Sequence, residues 1–264
     1  MLNSFHRFIR LIGLGVMSFA FLSLSLINVI AAETQDKTTQ FSLKTFDEDV
    51  AQSRRQMRAY CAIAQELMTA KTPDPAKQEA AVKYLKEAQA LWGVVRQKYQ
   101  DNPPIEYSRD TKFKVRLAEI SEAMDDMLSH LEAGRAKRSF QSCGFGCGLF
   151  VSMHEENGLD YTLDSLFHLR KTIKTVVELN KTAGLNGIAK MVPDLLQKRD
   201  NVFLAPCPWP DDAKRCQEYS TALKNLSSNL DDFAIAVNKG ENEKASRVLN
   251  GLLGLCNIAY GLAL

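Results

Sequence analysis

Residues 57–70 read MRAYCAIAQELMTA, and residues 169–182 read LRKTIKTVVELNKT. Laid one over the other, Arg58 meets Arg170, Glu66 meets Glu178 and Leu67 meets Leu179. In the first stretch the apolar residues fall three and four apart, the period of one face of an α-helix. That face reaches back to Phe46 and Val50 and runs on through Met57, Tyr60, Cys61, Ala64, Leu67 and Met68. Thr72-Pro73-Asp74-Pro75 stops the helix and starts the next.

Outward from there the pattern is helix after helix. Tyr84, Leu85, Ala88, Leu91, Trp92, Val95 and Tyr99 share the face of a second, ended by DNPP at 101–104. Leu117, Ile120, Met124, Met127 and Leu131 mark a third, closed at Gly134. A fourth is expected from Arg135 to Glu155, ending at Asn157-Gly158. No stretch alternates as a strand would, so the fold class expected is all-α.

The overlay continues along the chain. AMDDMLSHLEAG at 123–134 lies over NLDDFAIAVNKG at 229–240, and RAKRSFQSCGFGCG at 135–148 lies over KASRVLNGLLGLCN at 244–257. The offsets are 112, 106 and 109, and the order is kept. Shared order with a near-constant offset predicts a duplication. The expected domains are two tandem up-down-up-down four-helix bundles, residues 42–157 and 158–264. Each has about 110 residues, enough for a core of its own.

In helix order and length both units resemble the exported four-helix bundles of the cytochrome c′ and cytochrome b562 type. The resemblance implies a haem near the end of the fourth helix, where Cys147 falls. The C-x-x-C-H attachment motif is absent: three residues separate Cys143 from Cys147, and Gly148 follows. Covalent haem is therefore not expected. Non-covalent haem, with His154 and Met57 as axial ligands in the manner of b562, is the lesser alternative.

The N-terminus sets the expected compartment. Arg7 and Arg10 precede an uncharged, mostly apolar run from Leu11 to Ala32, with Val29-Ile30-Ala31 as a small-residue cleavage site. That is the layout of a secretory signal peptide over residues 1–31. Uncleaved, it would be an anchor and the only route to membrane association. Either way the rest of the chain is expected outside the cytoplasm, as in a periplasm. The whole chain has 33 Lys+Arg and 31 Asp+Glu; without the leader's two arginines, 31 of each remain. A neutral chain gives no electrostatic basis for binding nucleic acid.

Six cysteines follow the leader: Cys61, Cys143, Cys147, Cys207, Cys216 and Cys256. Cys207 and Cys216 flank a proline-bearing loop, PCPWPDDAKRC, and are expected to form a disulfide. Cys61 aligns with Ile173 and reads as a small core residue. Cys143 and Cys147 lie four apart on one helical face, with Cβ atoms roughly 5–6 Å apart. Two thiolates so placed suit a soft metal such as Cu(I), with Met57 as a further ligand. Against the second unit, Leu252, Leu253 and Leu255 are replaced by Cys143, Gly144 and Gly146. That loss of bulk leaves room for close helix packing, a ligand, or a helix break that lets the two cysteines pair. His154 is expected near a helix end, facing water unless it serves as an axial ligand.

No phosphate loop, H-E-x-x-H, nucleophile elbow or thioredoxin-type C-x-x-C occurs, so the reading leans away from an enzyme. The expected function is an exported helical-bundle binding protein, holding a soft metal or cofactor at the Cys143–Cys147 helix. The alternatives are a cofactor-free structural or interaction protein on the same scaffold, and a dithiol redox protein.

Overall fold

The computed structural model describes residues 41–264 apart from residue 73; the expected leader lies outside the described residues. Among the described residues there are eight α-helices, one 3-10 turn and no strand. No helix among them is long and apolar enough to cross a membrane.

The first four helices are α1 (Leu43–Thr69), α2 (Pro75–Tyr99), α3 (Phe113–Glu132) and α4 (Ala136–Glu155). Ser42 caps α1 by accepting from the Thr45 N–H at 3.1 Å. Asp74 caps α2 through the Lys77 N–H at 3.0 Å, with Pro75 in the first turn, where its missing N–H is no loss. Each helix packs on its chain neighbour, and α4 returns to α1, closing a ring. The ring buries Phe46, Leu85, Trp92, Leu117, Ile120, Met124, Met127 and Phe150. At one end Phe46 meets Tyr99 edge-on at 5.0 Å and Tyr107 at 5.4 Å, sealing the interior.

The remaining four are α5 (Thr162–Ala189), α6 (Val192–Leu204), α7 (Ala213–Asn238) and α8 (Asn242–Leu262). Here α5 packs on α6 and α8, and α7 on α8 and, more lightly, on α6. Their apolar cluster runs from Leu166 to Leu264, with Leu195, Leu226, Phe233 and Leu252 inside it.

One cap recurs in both sets. Gly134 after α3 and Gly240 after α7 each take φ 70°, a left-handed conformation that glycine adopts without a Cβ clash. Around them the Arg135 N–H donates to the His130 carbonyl, and the Glu241 N–H to that of Ala236. Both are the wide closing bond of a helix-ending turn. The second helices differ: α2 has 25 residues and α6 has 13. The length is made up in α5, which runs 28 residues with a break at Gly184. Between α6 and α7 lies the proline-bearing loop, where Cys207 and Cys216 are bonded, Cα to Cα 5.9 Å.

Candidate functional site

The cysteine chemistry expected on α4 changes once α1 is in place. Cys143 is bonded to Cys61, Cα to Cα 6.0 Å, across 82 residues of sequence. Cys61 is thus half of a cross-link between α1 and α4 rather than a small core residue. Cys143 in this state has no thiolate to share with Cys147, so the pair on one helical face is not a two-sulfur ligand. Cys147 remains a free, partly buried thiol. Burial pushes it up, while Arg54, Arg170, Arg58 and Lys174 pull it back toward the thiolate. Cys256, its counterpart on α8, is buried and free, and its thiol is pushed up to about 12 by burial. Two bonded pairs are compatible with an oxidising, exported environment.

The glycines of α4 divide into two kinds. Gly146 is buried, and a Cβ there would stand 2.8 Å from Met127 Cε, 3.8 Å from Ala123 Cβ and 3.9 Å from Met57 Sδ. Met57, expected as a ligand, is 2 % exposed and packs over this glycine. Gly144 is exposed with nothing near it. The missing bulk is therefore close helix packing at one position and solvent at the other. Gly146→Leu, which copies Leu255 of the second set, should destabilise the chain by about 1–3 kcal/mol through overpacking. Gly144→Ala should stabilise it by up to about 1 kcal/mol through helix propensity. Urea unfolding of the two variants measures both; a destabilised Gly144→Ala would contradict the solvent-facing assignment.

His154 does not face water. It is 2 % exposed, stacked on Tyr161 with ring centroids 4.1 Å apart, and its Nδ1 donates to Asp164 Oδ2 at 2.8 Å. It lies eight residues beyond Gly146, about 12 Å along α4 at 1.5 Å per residue, and Met57 packs over Gly146. The pair expected as axial ligands is thus not brought together.

What the structure does bring together is a polar junction between the two sets of helices. Tyr161 Oη donates to Asp47 Oδ2 at 2.7 Å, and Glu155 accepts from His168 Nε2 at 2.7 Å. Arg54 Nη2 donates to Tyr260 Oη at 3.2 Å while its guanidinium lies 4.8 Å over the Phe150 ring. Arg58 Nη2 donates to the Asn257 carbonyl at 2.5 Å, and Arg170 Nε to its side-chain oxygen at 2.7 Å. Arg58 and Arg170, matched in the sequence overlay, thus meet on one residue. Among the described residues Asp164 Oδ1 is buried here with no hydrogen-bond partner. Of this set the sequence singles out His154 and Cys147 as candidate ligands, and Arg58 and Arg170 as a repeat match. Asp47, Arg54, Tyr161 and Asp164 sit singly at helical positions and carry no motif.

Burial pushes the Asp47 carboxyl up to about 6, against the pull of the Tyr161 hydroxyl and the His154 and Arg54 charges. An unfolded chain ionises this carboxyl near 3.8, before the folded chain does. Raising the pH from about 4 to 6 therefore favours the unfolded state, by on the order of 2–3 kcal/mol at most. Asp47→Asn keeps an oxygen for Tyr161 and removes that slope. Its stability relative to the native chain should rise across this window and level off above about pH 7. A difference that is flat with pH would show that Asp47 ionises normally in the fold.

Two cavities open beside this region. One, about 640 Å³, lies at the α2–α3 connection between Arg109, Lys112, Arg116 and Glu156. The other, about 260 Å³, lies between the end of α4, the first turns of α5, and α6. Among the described residues no three His, Cys, Asp or Glu side chains are placed to hold a metal ion. The arrangement defines an all-helical protein with a buried carboxylate, histidine and tyrosine cluster. Comparison with known proteins finds no matching family model, no matching curated protein and no matching solved structure.

Proposed function

We propose that this chain is an exported binding protein built from two related four-helix bundles, taking its ligand at the polar junction between them. One observation carries the reading: Asp164 lines a cavity of that junction, and its Oδ1 is buried without a partner among the described residues. The bundle interior supports it from the other side, because Met57, Met127 and Ala123 close over Gly146, and Trp92 packs on Phe150. The duplication is supported by the recurring Gly134 and Gly240 caps and by the matched helix order. Export is supported by the leader-like N-terminus and the two disulfides. The likeness to the cytochrome c′ and b562 bundles is then one of architecture.

Haem, Cu(I) and Zn(II) should each fail to remain bound in stoichiometric amount after gel filtration of the oxidised chain. Small solutes that bind should perturb the resonances of Tyr161, Asp164 and His168. Retention of one haem or one metal per oxidised chain would overturn the reading.

A second reading applies to the reduced chain alone. Reduction frees Cys61 and Cys143, held 6.0 Å apart between Cα atoms, with Cys147 one turn on. The two freed sulfurs on facing helices suit Cu(I), and thiolate binding weakens as pH falls. Cys143→Ser with Cys147→Ser should abolish Cu(I) uptake by the reduced protein, and Cys256→Ser should leave it unchanged.

A further inference from the structure

Another part of the junction carries charge of one sign. Arg58 of α1 and Arg170 of α5 converge on Asn257 of α8, the first on its carbonyl at 2.5 Å and the second on its side-chain oxygen at 2.7 Å. Gly261 of α8 keeps the place of the Arg58 head open, since a Cβ there would stand 3.0 Å from Nη2. Lys174 follows Arg170 by one turn of α5, with its Nζ 5.5 Å over the Phe140 ring. All three basic side chains are partly buried, so each keeps some access to solvent. Among the described residues none of them pairs with a carboxylate. Like charges four apart on a helix repel, and a charge drawn out of water is normally paired. The fold thus assembles three cations at one place and sets no acid beside them.

Cys147 does not supply the missing charge. Burial pulls the Lys174 ammonium down and the Arg170 charge adds to it, with Cys147 pulling the other way. The Cys147 thiol is itself pushed up by burial, so it is neutral near pH 7. Donors are left over, because a guanidinium carries five N–H groups and Arg58 and Arg170 each turn one to Asn257. Here the two sets of helices meet through long side chains, not through the close backbone packing that joins helices within each set. We infer that Arg58, Arg170 and Lys174 bind a small divalent oxyanion of the sulfate or phosphate class. Two guanidinium forks match pairs of oxyanion oxygens, and the ammonium adds a point charge. A divalent anion offsets more of the three charges than a carboxylate does, which sets the preference. The inference goes beyond the cavity at the start of α5, which none of these three residues lines.

The test is calorimetric titration of the whole oxidised chain with sodium sulfate, and with sodium acetate at the same ionic strength. Sulfate should bind one per chain, at least about tenfold more tightly than acetate. Lys174→Met should weaken sulfate by about tenfold to hundredfold, the effect of one charge-assisted hydrogen bond. That variant relieves a like-charge pair, so in sulfate-free buffer it should melt no lower than the native chain. It should also lose the rise in melting temperature that sulfate gives the native chain. Lys171→Met removes an exposed charge from the same helix, and at about 0.15 M ionic strength it should change the affinity less than about twofold. The inference is overturned if the folded chain takes up no sulfate, or binds sulfate and acetate alike. It is equally overturned if Lys174→Met binds sulfate as the native chain does, or if Lys171→Met loses as much as Lys174→Met. Those failures would leave the cavity at the start of α5 as a site. Haem retained by the oxidised chain would instead overturn the cavity reading and leave the anion site to these titrations.

Discussion

Cys61→Ser with Cys143→Ser is expected to destabilise the folded chain by about 4 kcal/mol. The bond closes 82 residues, and in the chain-entropy picture a loop of that length restricts the unfolded state by roughly 4–5 kcal/mol. Cys207→Ser with Cys216→Ser should lose less, about 2–3 kcal/mol, because that pair stands only 9 positions apart in sequence. Urea unfolding of both variants, under conditions where each unfolds reversibly, gives the comparison. Equal losses would show that closure entropy is not what the α1–α4 link contributes. Alkylation of Cys61 in the unreduced protein would show that the bond does not form. The link also bears on function, since while it stands α4 presents one thiol, Cys147, and not two.

Trp92→Ala should have an effect of similar size, about 3–5 kcal/mol. Trp92 is 1 % exposed, its Nε1 donates to the Leu117 carbonyl at 2.9 Å, and its ring meets Phe150 edge-on at 5.3 Å. Truncation removes the transfer free energy of an indole, leaves a cavity between α2 and α4, and breaks an aromatic pair. Val94→Ala, two residues away on the same helix but 58 % exposed, should change stability by under about 0.5 kcal/mol. The contrast tests the packed interior on which the choice of the junction over the core depends. If Trp92→Ala cost less than about 1 kcal/mol, the first bundle would have slack, and a cofactor in its core would again be a serious reading.

The sequence determined the helices, and for a physical reason. Phe46, Val50, Met57, Tyr60 and Ala64 repeat at the helical period, and that period is a property of one segment folded on its own axis. Caps are equally local: Ser42, Asp74 and Asp212 each satisfy the N–H three residues on, and Gly134 and Gly240 turn the chain where only a few backbone groups take part. The Cys207–Cys216 bond was legible too, because a nine-residue separation brings its ends together within one loop. Position alone could not settle the fate of Cys61, Cys143, His154 or Asp164. Cys61 meets Cys143 only because α4 returns to α1, so a thiol that reads as core from its own helix becomes a cross-link. His154 reads as a solvated residue near the end of α4, and it is buried because Tyr161 and Asp164 from the start of α5 cover it. Gly144 and Gly146 look alike in the chain, and the facing Met127 and Met57 make one a contact and leave the other in water. The candidate site is therefore tertiary in origin. Its members come a few at a time from α1, α4, the segment ahead of α5, α5, α6 and α8, and no segment by itself carries a motif.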